Sequence, residues 1–406
     1  MPIKLPIWFK VNLMAWLLVL GHHIAPKQSS MTRLNKQFFQ HSESVFETQY
    51  LAEVVQYHKE NPVFAKRKLT TLGIEGVARI FSLSIADAFV LYNFLLLLLH
   101  GVLIYKISET LFPHHRQNNI RNIGVYYFSF SILFMFFAPV YSYDEPLQYA
   151  LILGVLWCYF RNQILLCIAL FSLATLARES SLMLLPAFLY HSWKTKPANT
   201  IKIISFAIIP LGIYFYYRVY YTTYPSLDTE ISERIVGLRN NFLNLPRCFE
   251  SLFSFLNTAV LPALMVYLYW KKNGMTHYFK PIAESFFILL AINSVLVFLG
   301  MNARESRLFF LPFLLITPYL FSLWEEFVQL QFILPKRLLS RYSLLVLILI
   351  LLAGLLSFGF HSHSFNLMNE YGFLALLVTF GLLLQRWKTN RTLTATNGSS
   401  APGRAV

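Results

Sequence analysis

Residues 141–190 read YSYDEPLQYALILGVLWCYFRNQILLCIALFSLATLARESSLMLLPAFLY. Asp144, Glu145, Arg178 and Glu179 sit there among runs composed for lipid. A charge at the centre of a spanning helix costs about 2.5–3.5 kcal/mol even on the lenient insertion scale. The two charged pairs therefore need a membrane surface or a cavity, and the path of residues 162–190 decides whether they get one. As one helix this stretch is about 42 Å long against a hydrocarbon core of about 30 Å, with Arg178 and Glu179 near mid-bilayer. As two short helices, 163–176 and 180–191, it turns at those residues instead.

Loop charge chooses between the two paths. With the hairpin, thirteen Lys and Arg of the loops after residue 190 fall on the cytoplasmic side and six on the outside. A single helix inverts that ratio, so the positive-inside rule favours the hairpin. Further spans are expected at 7–25, 87–105, 122–141, 145–160, 199–220, 252–270, 282–300, 308–323, 342–360 and 369–386. The expectation is an all-α polytopic membrane protein of about twelve membrane segments, multi-pass, with both termini cytoplasmic. Residues 1–390 form a single transmembrane helical domain, and 391–406 form a small, polar, disordered cytoplasmic tail.

Composition agrees. Of 406 residues, 56% are hydrophobic and 13% charged, where a soluble protein carries about a quarter charged. The formal charge of +15 is spread over short loops that orient spans, which argues against nucleic acid as a partner. Cys158, Cys167 and Cys248 form no CxxC or zinc spacing. The first apolar run lacks an A-x-A cleavage site and reads as a retained span.

Two external loops stand out, 26–86 and 222–250. The first is long enough to translocate regardless of its eight basic residues. Within it, 45–60 has apolar positions at helical spacing and 73–89 reads as a second amphipathic stretch, both suited to the interface plane.

Four charged clusters fall on the external face: Glu43 with Glu47, Asp144 with Glu145, Arg178 with Glu179, and Arg304, Glu305 and Arg307. Arginine binds phosphate through a planar fork, and a carboxylate can act as a base or orient hydroxyls. Each cluster also has a plain structural reading. Arg-Glu in a short turn caps helix ends, Asp144-Glu145-Pro146 is a good helix start, and Glu43 and Glu47 at i and i+4 make a wet helix face. Joint placement on one side favours a site. The histidines His22, His23, His361 and His363 lack a partner ligand set for metal. His100 reads as a packed intramembrane residue, and YFYYRVYYTTY (214–224) as an aromatic belt, with sugar stacking the rival reading.

The long acidic first loop, the YDEPLQY span start, the LARESSLMLLP hairpin and the late RESRLFFLP turn together resemble the GT-C superfamily of integral membrane glycosyltransferases. That resemblance implies inverting transfer of a hexosyl or pentosyl group from a polyprenyl-phosphate carrier to a glycan, lipid or protein acceptor. It places the reaction outside the cytoplasm, in a membrane such as the bacterial inner membrane. It makes a first-loop acidic residue the base, here Glu43 or Glu47, although the family more usually has Asp in a DD, DE or ED setting. Arg178, with Arg304 or Arg307, becomes a ligand of the carrier phosphate, beside Asp144, Glu145, Glu179 and Glu305. No cofactor is demanded, and a divalent metal, used by some relatives, stays open. A transporter or flippase of a lipid-linked or small polar substrate is the rival from another class, to be recognised by repeat symmetry and mid-membrane ionisable groups.

Overall fold

The computed structural model describes residues 5–24, 48–61, 64, 67–135, 142–195, 200–221, 235–236, 238–272, 279–303 and 305–325. Every regular element among them is helical. The expected spans at 342–360 and 369–386 and the tail lie outside the described residues.

The stretch 142–190 breaks into three α-helices and one 3₁₀ turn. Helix α7 (Glu145–Phe160) has proline in its first turn and ends at Arg161. The amide of Gln163 donates to the carbonyl of Cys158 at 2.9 Å and that of Asn162 to Tyr159 at 3.1 Å. Asn162 has φ 59°, so this is a Schellman close with Asn in the left-handed position that usually takes Gly. The chain reverses at once into α8 (Ile164–Ala177), which packs along α7.

At Arg178 the backbone leaves the helix, with φ −159° and ψ 126°. One 3₁₀ turn follows at Glu179–Met183, and then α9 (Leu184–Thr195). The Tyr159 hydroxyl meets His191 Nδ1 at 2.8 Å and Ser192 Oγ at 2.9 Å. Helix α9 therefore ends beside the C-terminus of α7, whereas α8 ends beside its N-terminus. The arms of this V meet through Phe171 and Phe188, ring centroids 5.9 Å apart.

The remaining helices build around this hairpin. They are α1 (Ile7–Ile24), α2 (Thr48–Glu60), α3 (Lys68–Phe81), α4 (Ile85–Leu111), α5 (Arg116–Tyr127) and α6 (Phe130–Met135) before it. After it come α10 (Thr200–Tyr221), α11 (Leu245–Phe255), α12 (Leu261–Lys272) and α13 (Phe279–Gly300). A π-turn at Leu256–Val260 joins α11 to α12. Three stretches, Ile85–Leu111, Arg247–Lys271 and Phe279–Gly300, are long and apolar enough to cross a membrane. Shorter apolar helices lie at Ile7–Leu20, Ile164–Ala177, Ile204–Tyr217 and Leu311–Glu325. Helix α4 is the central post: α1, α2, α3, α5 and α7 all pack on it.

Three segments differ from expectation. The amphipathic stretch 73–89 is not one helix. It stops at Ser82, in the left-handed region at φ 51°, and α4 restarts under Ser84, whose Oγ accepts from the Asp87 amide at 3.1 Å. Residues 122–141 do not form one span, because α5 closes at Tyr127, where Ser129 donates its amide and its hydroxyl to the Tyr126 carbonyl. Residues 308–323 are wound mainly as 3₁₀ helix, Ser306–Phe309 and Leu311–Tyr319, before returning to α-helix. Pro312 and Pro318 withhold two donors there, and Asn122 takes up the slack. Its Nδ2 donates to the Pro318 carbonyl at 2.8 Å and its Oδ1 accepts from the Phe321 amide at 2.7 Å.

The α7–α8 close gives a direct check on this path. Asn162→Gly should leave stability within a few tenths of a kcal/mol, and Asn162→Val should lower it by about 1–2 kcal/mol, the cost of a branched residue in the left-handed region. Denaturant unfolding in detergent micelles measures both.

Candidate functional site

The site is made where helices end. Asp144 and Glu145 open α7, Arg178 and Glu179 form the turn of the V, and Arg307 lies in the 3₁₀ segment after α13. The sixth contributor is Arg67, one residue before α3 and absent from the set expected from sequence.

Arg67 is the bridge between two of these clusters. Its Nε and Nη2 donate to the two Glu179 oxygens at 2.9 and 2.7 Å, a bidentate fork, and its Nη1 donates to Asp144 Oδ2 at 3.1 Å. The Phe64 ring lies 5.2 Å from the guanidinium carbon. Glu145 forms a second bridge. Its Oε1 pairs with Arg178 Nη1 and lies 3.5 Å from Arg307 Nε. Arg307 also donates to Ser142 Oγ at 2.7 Å and to Glu305 Oε2 at 2.6 Å. Behind the charges, Gln148 Nε2 donates to the hydroxyls of Ser180 and Ser181 at 2.9 and 3.0 Å, tying α7 to the turn of the V.

Residues far apart in sequence thus converge, as expected for Asp144, Glu145, Arg178, Glu179, Glu305 and Arg307. Asp144 stands at the helix start but its side chain makes no cap bond, so the capping role is not what its carboxylate does. Glu43, Glu47 and Arg304 lie outside the described residues. Loop reasoning missed Arg67 because basic residues of a long loop carry no weight in orienting spans. The only sequence signal was a KRK triplet at 66–68.

Burial sets the electrostatics. Asp144 is 2% exposed, and its Oδ1 is enclosed without a hydrogen-bond partner. Burial, helped by the neighbouring Glu145 charge, pushes its carboxyl up to about 6 against the pull of Arg67 and Arg178. Burial works against the charge of Arg67, but Glu179 and Asp144 outweigh it and hold the guanidinium above its usual range. His58 of α2 stacks on Tyr143 at 3.8 Å; burial brings it down to about 4, leaving it neutral.

A cavity of about 600 Å³ opens on one side of this cluster. Arg67, Arg178, Glu179 and Ser180 form its polar end. Leu182, Met183, Pro186, Tyr214, Ile292, Leu296 and Leu299, from α9, α10, α13 and the turn, form a long apolar wall. Arg178 and Glu179 face the cavity directly, while Asp144, Glu145 and Arg307 stand behind them. Tyr214, read from sequence as belt, is part of the wall. Among the described residues, no group of three or more His, Cys, Asp or Glu side chains is placed to hold a metal ion. Comparison with known protein families, curated proteins and solved structures gave no match.

The raised Asp144 carboxyl has a thermodynamic signature. The folded chain holds this proton more tightly than the unfolded chain, so between about pH 3.8 and 6 the Asp144 contribution to stability falls as pH rises. Asp144→Asn should remove that component, so that across this window its unfolding midpoint rises with pH relative to that of the wild type. Parallel profiles for the two proteins would contradict the assignment.

Proposed function

We propose that the cavity receives a polyprenyl-phosphate-linked sugar and that the protein is an inverting glycosyltransferase acting at the extracytoplasmic membrane face. The observation that carries this reading is the shape of the cavity: two guanidiniums at one end and an apolar wall running away from them. That is the pattern of an amphiphile with an anionic head, and the helices around it are apolar enough for a membrane. Twelve spans, cytoplasmic termini and lateral entry of the carrier from the lipid complete the proposal.

The chemistry then divides among named residues. Arg178, whose ion-pair partner among the described residues is Glu145, turns its remaining donors to the carrier phosphate. Arg67, with two N–H groups beyond its three bonds among the described residues, does the same at that polar end. As the bond between anomeric carbon and phosphate oxygen breaks, negative charge grows on that oxygen, and the guanidiniums stabilise it. A first-loop glutamate, Glu43 or Glu47, takes the proton of the acceptor hydroxyl, which attacks from the face opposite the leaving phosphate. The loop is anchored for this: α2, which begins at Thr48, packs on α4 and stacks His58 on Tyr143 next to Asp144.

Arg178→Ala should lower transfer by about 10²–10³-fold, the usual loss when a donor to a developing anion is removed. Arg178→Lys recovers only part, because an ammonium lacks the fork. Glu43→Gln and Glu47→Gln made together should abolish transfer while the protein still inserts. The assay is transfer from a radiolabelled lipid-phosphate sugar in proteoliposomes. Wild-type rates in Arg178→Ala and in the double glutamine variant, or uptake of sugar without a covalent product, would overturn the assignment.

A further inference from the structure

Among the described residues the buried cluster contains more acid than base. Arg67, Arg178 and Arg307 stand among Asp144, Glu145, Glu179 and Glu305, so with every group ionised it already carries one surplus negative charge. An anionic head group arriving at its cavity face adds another. In an interior of low dielectric that surplus is costly, and the least costly remedy is a proton.

The contacts show which carboxylate takes it. Glu179 has both oxygens bonded to Arg67. Glu145 is shared by Arg178 and Arg307. Glu305 is bonded by Arg307 on one oxygen and Asn302 on the other. Among the described residues Asp144 is held only through Oδ2, and its Oδ1 is enclosed without a partner. We propose that binding of a phosphodiester head group between Arg67 and Arg178 draws one proton from solvent onto Asp144, so that occupation of the cavity and protonation of Asp144 are one event. This rests on the reading of the cavity as a lipid-phosphate site.

The step balances. A singly charged phosphodiester enters, one proton is taken up, and the net charge of the cluster is unchanged. Arg67 transmits the effect, because it touches Asp144 and the cavity at once. When its charge is shared with a phosphate, Asp144 loses part of the attraction that kept it ionised. The other groups around Asp144 leave it this role. Glu145 repels it and Arg178 attracts it from the turn of the V. Tyr92 of α4 and the adjoining Tyr143 face it, with Glu75 and neutral His58 beyond Tyr143. A carboxyl near 6 in the empty site is ionised at pH 7 and needs only a modest push to protonate.

The test is titration calorimetry of the detergent-purified full chain with farnesyl methyl phosphate, a diester that itself takes up no proton near neutrality. Measured at pH 7 in imidazole and in PIPES, the difference in heat gives the protons exchanged. Wild type should take up close to one proton, and its affinity should fall about tenfold per pH unit above pH 6. Asp144→Asn should bind with no uptake and a flat pH profile. Binding by wild type without proton exchange, or undiminished uptake in Asp144→Asn, overturns this inference and leaves the lipid-phosphate reading standing. Absence of binding in wild type overturns that reading and this inference with it.

Discussion

The structure is governed by the cost of enclosing charge. An ionised carboxylate or guanidinium can be removed from water only when a partner meets it at hydrogen-bonding distance. Seven such groups lie together at Asp144, Glu145, Glu179, Glu305, Arg67, Arg178 and Arg307. Satisfying them requires the start of α7, the end of α8, the residue before α3 and the turn after α13 to reach one point. Apolar packing is non-directional and fixes none of these meetings by itself. The ion pairs supply registration, and the aromatic contacts of Phe171, Phe188 and Phe206 then fill the V below them.

Polar side chains inside the helical body play a quieter part. His100, enclosed in α4, engages the Pro146 carbonyl through Nε2 at 2.8 Å and the Tyr126 hydroxyl through Nδ1 at 3.0 Å. It thus joins α4, α5 and the first turn of α7. Tyr127 donates to Asn12 Oδ1 and to the Leu97 carbonyl, both at 2.8 Å, binding α1 to the same post. Asn12 can approach because residue 101 is glycine. A Cβ there would collide with the Asn12 side chain and the Tyr127 ring. The cluster therefore rests on a frame that is hydrogen-bonded to itself.

Much of this was legible in the chain. A 29-residue apolar stretch interrupted by Arg178-Glu179 is too long and too charged to run straight, and the break falls there. The meeting of Asp144, Glu145, Arg178, Glu179 and Arg307 followed from assigning their loops to one side. Arg67 was hidden because its role comes from where the first loop docks, which composition does not encode. The split of 73–89 was hidden for a different reason. Its apolar residues keep a helical period across Ser82, so periodicity alone cannot see the left-handed cap. Likewise Leu311–Tyr319 is uniformly apolar, and nothing in a uniform run distinguishes one helical winding from another.

That last segment sets a length. A 3₁₀ helix rises about 2.0 Å per residue and an α-helix 1.5 Å, so nine residues gain about 4.5 Å over the commoner winding. One end is moored at Asn122 through the Pro318 carbonyl, and just beyond the other the Tyr149 hydroxyl grips the Arg307 carbonyl at 3.2 Å. The tighter coil is thus a ruler. Relaxed to the ordinary pitch, it would fall short by more than a hydrogen bond's length and draw Arg307 away from Glu145.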